Sequence, residues 1–127
     1  MEAPLVGIDL IEPARLRSKL RRRPALAARL FHPDELAYCE EQAAPEQHLA
    51  ARFSAKEAVT KALGLPSFAP LDVEVIGGGA ACEVRLHGRA AAKADELGLR
   101  VSVSLTHLSG LAGAVAMARP LPGPPAR

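Results

Sequence analysis

Arg52-Phe53-Ser54-Ala55-Lys56-Glu57-Ala58-Val59-Thr60-Lys61-Ala62-Leu63-Gly64 reads as the greater part of one long helix. Good helix formers dominate it, Gly64 supplies a left-handed cap, Pro66 blocks continuation, and Pro45 with Glu46 makes a first turn upstream. A helix of about five turns is therefore predicted between Pro45 and Gly64. At about 100° per residue, Leu49, Phe53, Val59 and Leu63 share one broad arc, with Ala51, Ala55, Ala58 and Ala62 as a small-residue face beside it. Such a helix is mostly buried, yet Arg52 and Lys56 fall within the apolar arc, and Glu57 and Lys61 stack one turn apart on the sector left over. Buried charge is expensive unless it is paired or liganded. Taken alone, Glu57 and Lys61 form an ordinary helix-stabilising pair.

The chain has 127 residues, which suits one domain. That domain is expected over 1–119, with a disordered, proline-rich tail over 120–127. Its residues are 49% hydrophobic but only 3% aromatic, so the core must be aliphatic and alanine-rich, and shared burial between subunits is expected. Cys39 and Cys82 show no metal-ligand spacing, and nothing at the N-terminus resembles a signal peptide, so a reducing cytoplasm is expected. No apolar run approaches the ~20 residues that span a bilayer.

Residues 5–10, Leu-Val-Gly-Ile-Asp-Leu, read as a buried strand in which Asp9 is the anomaly: a capping residue at the strand end, or a carboxylate kept for a purpose. Over 13–29 the charge is of one sign, with Arg15, Arg17, Lys19, Arg21, Arg22, Arg23 and Arg29 on a predicted helix striped by Leu16 and Leu20. This face suits an acidic protein or a phosphorylated ligand better than nucleic acid, because no aromatic side chains interleave to stack on bases. A helix is predicted from Pro33 to about Glu41. His32 and His48 lack partners at metal-binding spacing and read as surface residues. After a loop over 65–70 come a strand over 71–76, hairpin glycines Gly77, Gly78 and Gly79, a returning strand over 82–86, and a helix over 88–97 closed by Gly98. Strict alternation predicts a strand over 99–106, a turn over 107–110 and a last strand over 111–118. The predicted fold is α+β, a largely antiparallel sheet packed against the long helix.

Several of these features converge. Gly7-Ile8-Asp9 on a strand, Arg15, the run Phe53-Ser54-Ala55-Lys56-Glu57-Ala58 with Lys61-Ala62, and Ser104-Leu105-Thr106-His107 before a small-residue strand resemble, in this order, the holo-acyl-carrier-protein synthases. These are the short, bacterial-type members of the 4'-phosphopantetheinyl transferase superfamily. The resemblance implies magnesium-dependent transfer of the 4'-phosphopantetheine arm of coenzyme A to a serine of an apo acyl carrier protein, by a trimer with active sites between subunits. It implies a place in lipid metabolism, with fatty-acid and polyketide carriers both open. By motif, Asp9 and Glu57 match the metal-binding acids, Lys61 the lysine near the pyrophosphate, Arg15 a carrier-docking residue and His107 the histidine near the cofactor. The chemistry agrees: magnesium takes hard oxygens, commonly one or two carboxylates with phosphates and water. Asp9, Glu57 and Lys61 are thus the predicted catalytic group, with Glu57 accepting the serine proton and Lys61 stabilising the departing phosphate. Arg52, Lys56 and His107 are expected to join Lys61 in holding the cofactor phosphates. Arg17 and Arg22 join Arg15 as docking residues on charge alone.

The chain departs from the family pattern in a shorter loop between Gly64 and Leu71, without the usual extra glycines, and in Leu108 where a polar residue is common. The rival reading is a catalytically silent module that keeps the trimer and the docking surface. A basic RNA-binding protein rests only on the arginine run.

Overall fold

A computed structural model describes residues 5–78 and 82–122. Its elements in chain order are β1 (Leu5–Ile11), α1 (Pro13–Arg22), α2 (Leu26–Leu30), α3 (Pro33–Glu40), α4 (Pro45–Ala62), a single 3-10 turn (Pro70–Asp72), β2 (Val73–Ile76), β3 (Glu83–Leu86), α5 (Gly88–Leu97), β4 (Leu99–Leu108) and β5 (Leu111–Pro120). The α+β expectation holds, with the strands divided between two antiparallel sheets. One is three-stranded in the order β1-β5-β4, and the other is the β2-β3 hairpin. The hairpin pairs Val73 with Leu86 through Ile76 with Glu83, while Gly79 of its predicted connection lies outside the described residues.

Helix α4 lies against the inner face of the three-stranded sheet. Ala55, Ala58, Val59 and Ala62 meet Ala114, Ala116 and Ala118 of β5 in one buried cluster. Small residues on both sides let helix and sheet approach closely, and Gly7 brings β1 in as well. A Cβ at Gly7 would collide with the carbonyl oxygen of Ala58. The sequence pattern Gly7-Ile8-Asp9 therefore sets the distance between β1 and α4.

Four expectations need correction. The basic run over 13–29 is two helices, because Pro24 follows Arg23 and cannot continue α1. Strand β1 is not buried on both faces: Val6, Ile8 and Leu10 are 57%, 59% and 61% exposed on its outer side. The turn predicted over 107–110 shrinks to Ser109 and Gly110, so His107 belongs to β4 and pairs with Ala112. Strand β5 runs on through Pro120, and Leu121 N–H donates to the Gly98 carbonyl at 2.8 Å, inside the segment expected to be disordered. Residues 123–127 of that tail lie outside the described residues. Gly98 does close α5, with φ 63° in the left-handed region.

Candidate functional site

The register of β1 on β5 decides where Asp9 points. Asp9 pairs with Ala114, a buried inward-facing residue, so its side chain turns toward α4 while Ile8 and Leu10 turn outward. The side of α4 opposite its deepest alanines offers Glu57 and Lys61 there. Lys61 Nζ donates to the Ile8 carbonyl at 3.0 Å and to Asp9 Oδ1 at 3.4 Å. Burial pushes the Glu57 carboxyl above its ordinary pKa, the charge of Asp9 pushes it further, and Lys61 partly opposes both. The fold thus brings Asp9 from β1 to Lys61 on α4 and sets Glu57 near enough for the charges of both to act on it.

Lys56 is not part of that group. It is wholly buried, and its ammonium donates to Glu35 Oε1 at 2.8 Å, to the Pro70 carbonyl at 3.0 Å and to the Val73 carbonyl. An ammonium has three N–H donors, so none remains for a phosphate. The expected cofactor role of Lys56 gives way to a structural one. Desolvation lowers its pKa, and the Glu35 carboxylate opposes that shift through its charge and hydrogen bond. Glu35 also accepts from His32 N–H at 2.8 Å and Val75 N–H at 3.0 Å. No local pattern around Glu35 announces this, since the partners come from α4 and β2.

Arg52 and His107 meet elsewhere. They line a cleft of about 110 Å³ with Tyr38, His48, Gly78 and Cys82. Arg52 is 2% exposed, donates to the Gly77 carbonyl and lies over the Tyr38 ring, its centre 4.3 Å from the centroid. Its Nε is buried without a partner. The His48 and His107 rings are 4.7 Å apart between centroids. Burial lowers the His48 pKa, and His107 and Arg52 lower it further. His48 and Glu57 are separated by about 13 Å of helix rise. A single chain therefore holds its acids and its His107 cleft toward different ends of α4. Tyr38 and His48 escaped the sequence reading, because tertiary packing alone brings them to this cleft.

A larger cleft of about 550 Å³ opens between β1, α1, α2 and α4, lined by Leu10, Ile11, Leu16, Phe53 and Phe68, with Arg15 and Lys19 also on its wall. Lys19, Arg22 and Arg23 line an adjoining hollow. Arg15, Lys19 and Arg22 thus share one side of α1 by their i, i+4, i+7 spacing, whereas Arg17 turns away, with Nη1 3.8 Å from Glu46 Oε1. Lys19 shares the wall of these clefts with Arg15 and Arg22, and the helical spacing from Arg15 is the signal that places it there.

The family model described as the 4'-phosphopantetheinyl transferase superfamily matches residues 5–115. The holo-[acyl-carrier-protein] synthase of Moorella thermoacetica is 46% identical over 116 residues, covering 87% of this chain and 90% of its own length. That of Streptomyces coelicolor is 45% identical over 116 residues, covering 89% and 94%. Among solved structures, the Helicobacter pylori holo-[acyl-carrier-protein] synthase in complex with coenzyme A aligns with a TM-score of 0.76 at 26% identity, covering 91% of this chain and 100% of that one. The Chronobacterium ammoniagenes synthase in complex with coenzyme A aligns with a TM-score of 0.78 at 27% identity, covering 95% and 100%.

Proposed function

The chain belongs to the 4'-phosphopantetheinyl transferase superfamily, and from that premise we propose how its residues carry out the reaction. The enzyme transfers the 4'-phosphopantetheine arm of coenzyme A to a serine of an apo acyl carrier protein. The products are holo carrier and adenosine 3',5'-bisphosphate. The observation that carries the assignment of residues is the meeting of Asp9, Glu57 and Lys61 where β1 crosses α4.

The residues fit magnesium. Asp9 and Glu57 supply hard oxygen donors, and among the described residues one cation, Lys61, acts on both. Burial first and the charge of Asp9 second raise the Glu57 pKa, so an ion that neutralises both acids would relieve the strain between them. Asp9 and Glu57 would hold the ion, which when bound neutralises and positions the coenzyme A pyrophosphate. Glu57, directly or through a water, takes the proton from the carrier serine as its oxygen attacks the β-phosphorus. Lys61 is more than half exposed and keeps a flexible ammonium beside the acids, suited to meeting the charge on the departing 3',5'-bisphosphate. Arg52 and His107 line the cleft we assign to the far part of coenzyme A, and Arg15, Lys19 and Arg22 steer the carrier.

We assign the outer face of the three-stranded sheet to subunit contact in a homotrimer. Val6 pairs with Met117 and Ile8 with Val115 on that face, and all four are exposed in the single chain. A contiguous apolar patch of this kind is a contact surface. A contact between subunits also supplies a way for one chain's His107 cleft to meet another chain's acids. Cys39 and Cys82 are free thiols, and no helix among the described residues is long and apolar enough to cross a membrane. Both fit our placing of the enzyme in the cytoplasm, acting on a protein carrier without nucleic acid.

The experiment is direct. The protein, coenzyme A, magnesium and an apo carrier are incubated and the carrier is weighed by mass spectrometry. A gain of the phosphopantetheine mass is expected with the parent protein and not with Asp9→Asn or Glu57→Gln. Full transfer by either folded variant would remove that acid from the site.

A further inference from the structure

Away from the transfer site, three polar side chains from separate parts of the chain converge beside β2. His32 precedes α3, Glu74 lies on β2, and His87 precedes α5. One ligand-type atom from each lies within 4.8 Å of the other two. Sequence spacing conceals this group, since His32 has no partner nearby in the chain. All three members are held by long-range bonds. His87 Nε2 is 2.9 Å from Glu74 Oε1, and His32 Nε2 is 2.8 Å from the Leu71 carbonyl oxygen. The two imidazole rings stand 5.1 Å apart between centroids, tilted by 34°.

The geometry points to a second metal site, in which His32, Glu74 and His87 bind a zinc-class transition-metal dication that clasps α3, the β2-β3 hairpin and α5 together. Two imidazoles and a carboxylate are a borderline donor set, suited to zinc, cobalt or nickel and poorly suited to magnesium, which wants oxygens alone. Metal–nitrogen and metal–oxygen bonds of about 2.0–2.2 Å place tetrahedral donors about 3.3–3.6 Å apart. The separation of 2.9 Å between His87 and Glu74, and the 4.8 Å limit for the set, bracket that spacing. Small side-chain rotations therefore bring the donors into range.

Access and support are both present. Glu74 is 7% exposed and backed by the strand, which fixes its position, while the His87 side chain is 39% exposed and leaves a path from solvent. The Leu71 carbonyl orients the His32 ring, as outer partners commonly do at metal sites. Arg85 competes for the same carboxylate, with Nη1 3.9 Å from Glu74 Oε1, but its side chain is 64% exposed and can swing into water. Beneath the group, His32 N–H is already bonded to Glu35, the partner of buried Lys56. A bound ion would thus brace the elements that enclose that ion pair.

The test uses the full chain, stripped with chelator and then held in saturating magnesium so that Asp9 and Glu57 are occupied. Cobalt(II) is titrated and read by its visible d–d absorption, and zinc by isothermal titration and by the thermal midpoint. One equivalent of cobalt with visible bands is expected, displaced by zinc, together with a rise in midpoint. His87→Asn keeps a good helix cap for α5 and should weaken binding at least tenfold, as should Glu74→Gln, while leaving magnesium-dependent transfer near the parent rate. Asp9→Asn should bind cobalt like the parent. Absence of the bands in the parent overturns the proposal. So does persistence of parent affinity in both His87→Asn and Glu74→Gln with circular dichroism like the parent, or loss of the bands in Asp9→Asn.

Discussion

Glu35 Oε1 stands 2.8 Å from Lys56 Nζ, and neither side chain is exposed. The pair joins α3 to α4, and through the remaining bonds of Lys56 and Glu35 it also fixes Pro70, Val73 and Val75. Truncating the lysine to Lys56→Met leaves a carboxylate buried with no counter-charge. Loss of about 3–5 kcal/mol of stability is expected. Urea unfolding measures it, and Glu35→Gln combined with Lys56→Met should recover part of the loss. If Lys56→Met matched the parent in stability and instead raised the KM for coenzyme A, the lysine would belong to the cofactor after all.

Lys61 differs from Lys56 in every respect that matters for chemistry, although they are five positions apart on one helix. It is exposed, and among the described residues the Ile8 carbonyl and Asp9 accept from it. Lys61→Met should lower kcat by about 10²–10³, as for other lost charge-stabilising donors, with the unfolding midpoint close to the parent. Lys61→Arg should restore part of the rate. An unchanged kcat in Lys61→Met would take the lysine out of the transition state.

How far the sequence carries depends on where a residue's partners are. Asp9 stood out as an acid in an apolar strand, whereas Glu57 alone reads as half of an ordinary helix pair and only the motif order ties it to Asp9. Helix α4 and the alternation of β4 were legible because burial there follows one period. Glu35 was not, because its carboxylate satisfies partners on α4 and β2 that its own neighbourhood does not predict. Lys56 was misread for the same reason: next to Glu57 in sequence, it points about 100° around the helix into the core. The split of α1 from α2 was available in Pro24, whereas the alternation of β1 puts Val6, Ile8 and Leu10 on one face without saying that this apolar face is the outer one.

The raised Glu57 pKa gives a pH dependence with a definite sign. Its folded value lies above its unfolded value, so the metal-free protein loses stability as pH rises out of the unfolded carboxylate range and through the folded pKa. Magnesium favours the deprotonated form, so its stabilising effect should grow with pH and fade as the pH falls through the raised Glu57 pKa. At about 100 times its dissociation constant, the ion should add about 2.7 kcal/mol near neutrality. Glu57→Gln should melt higher than the parent without magnesium at neutral pH and lose most of the magnesium shift. Melting curves with and without the ion, taken across that range, check both. A magnesium shift independent of pH would separate Glu57 from the ion.

On α1, direction around the helix should sort the basic residues by effect. Arg15, Lys19 and Arg22 share the side that opens on the clefts, whereas Arg17 is turned to Glu46. Charge reversal to Glu at any of the first group should raise the carrier KM by about tenfold, an effect that shrinks as salt rises. Arg17→Ala should change it less than about twofold, as for an exposed pair. Steady-state kinetics at low and high ionic strength make the comparison. Equal effects at Arg17 and Arg15 would move the docking face around the helix.

The outer sheet face ties assembly to activity. Ile8 and Val115 are paired across β1 and β5, 59% and 40% exposed, on the face opposite the one that carries Asp9. Ile8→Glu thus places a charge in the assigned subunit contact without touching the alanine core under α4. Its expected effect is dissociation to monomer, read as molar mass by light scattering, with circular dichroism little changed. If the His107 cleft of one chain serves the acids of its neighbour, transfer should fall with the molar mass and recover at high protein concentration. Mixing His107→Ala with Asp9→Asn provides a sharper check, because in a mixed trimer some contacts pair an intact cleft with intact acids. Activity that reappears on mixing two inactive variants supports a site shared between subunits. A fully active Ile8→Glu monomer would confine the whole reaction to one chain.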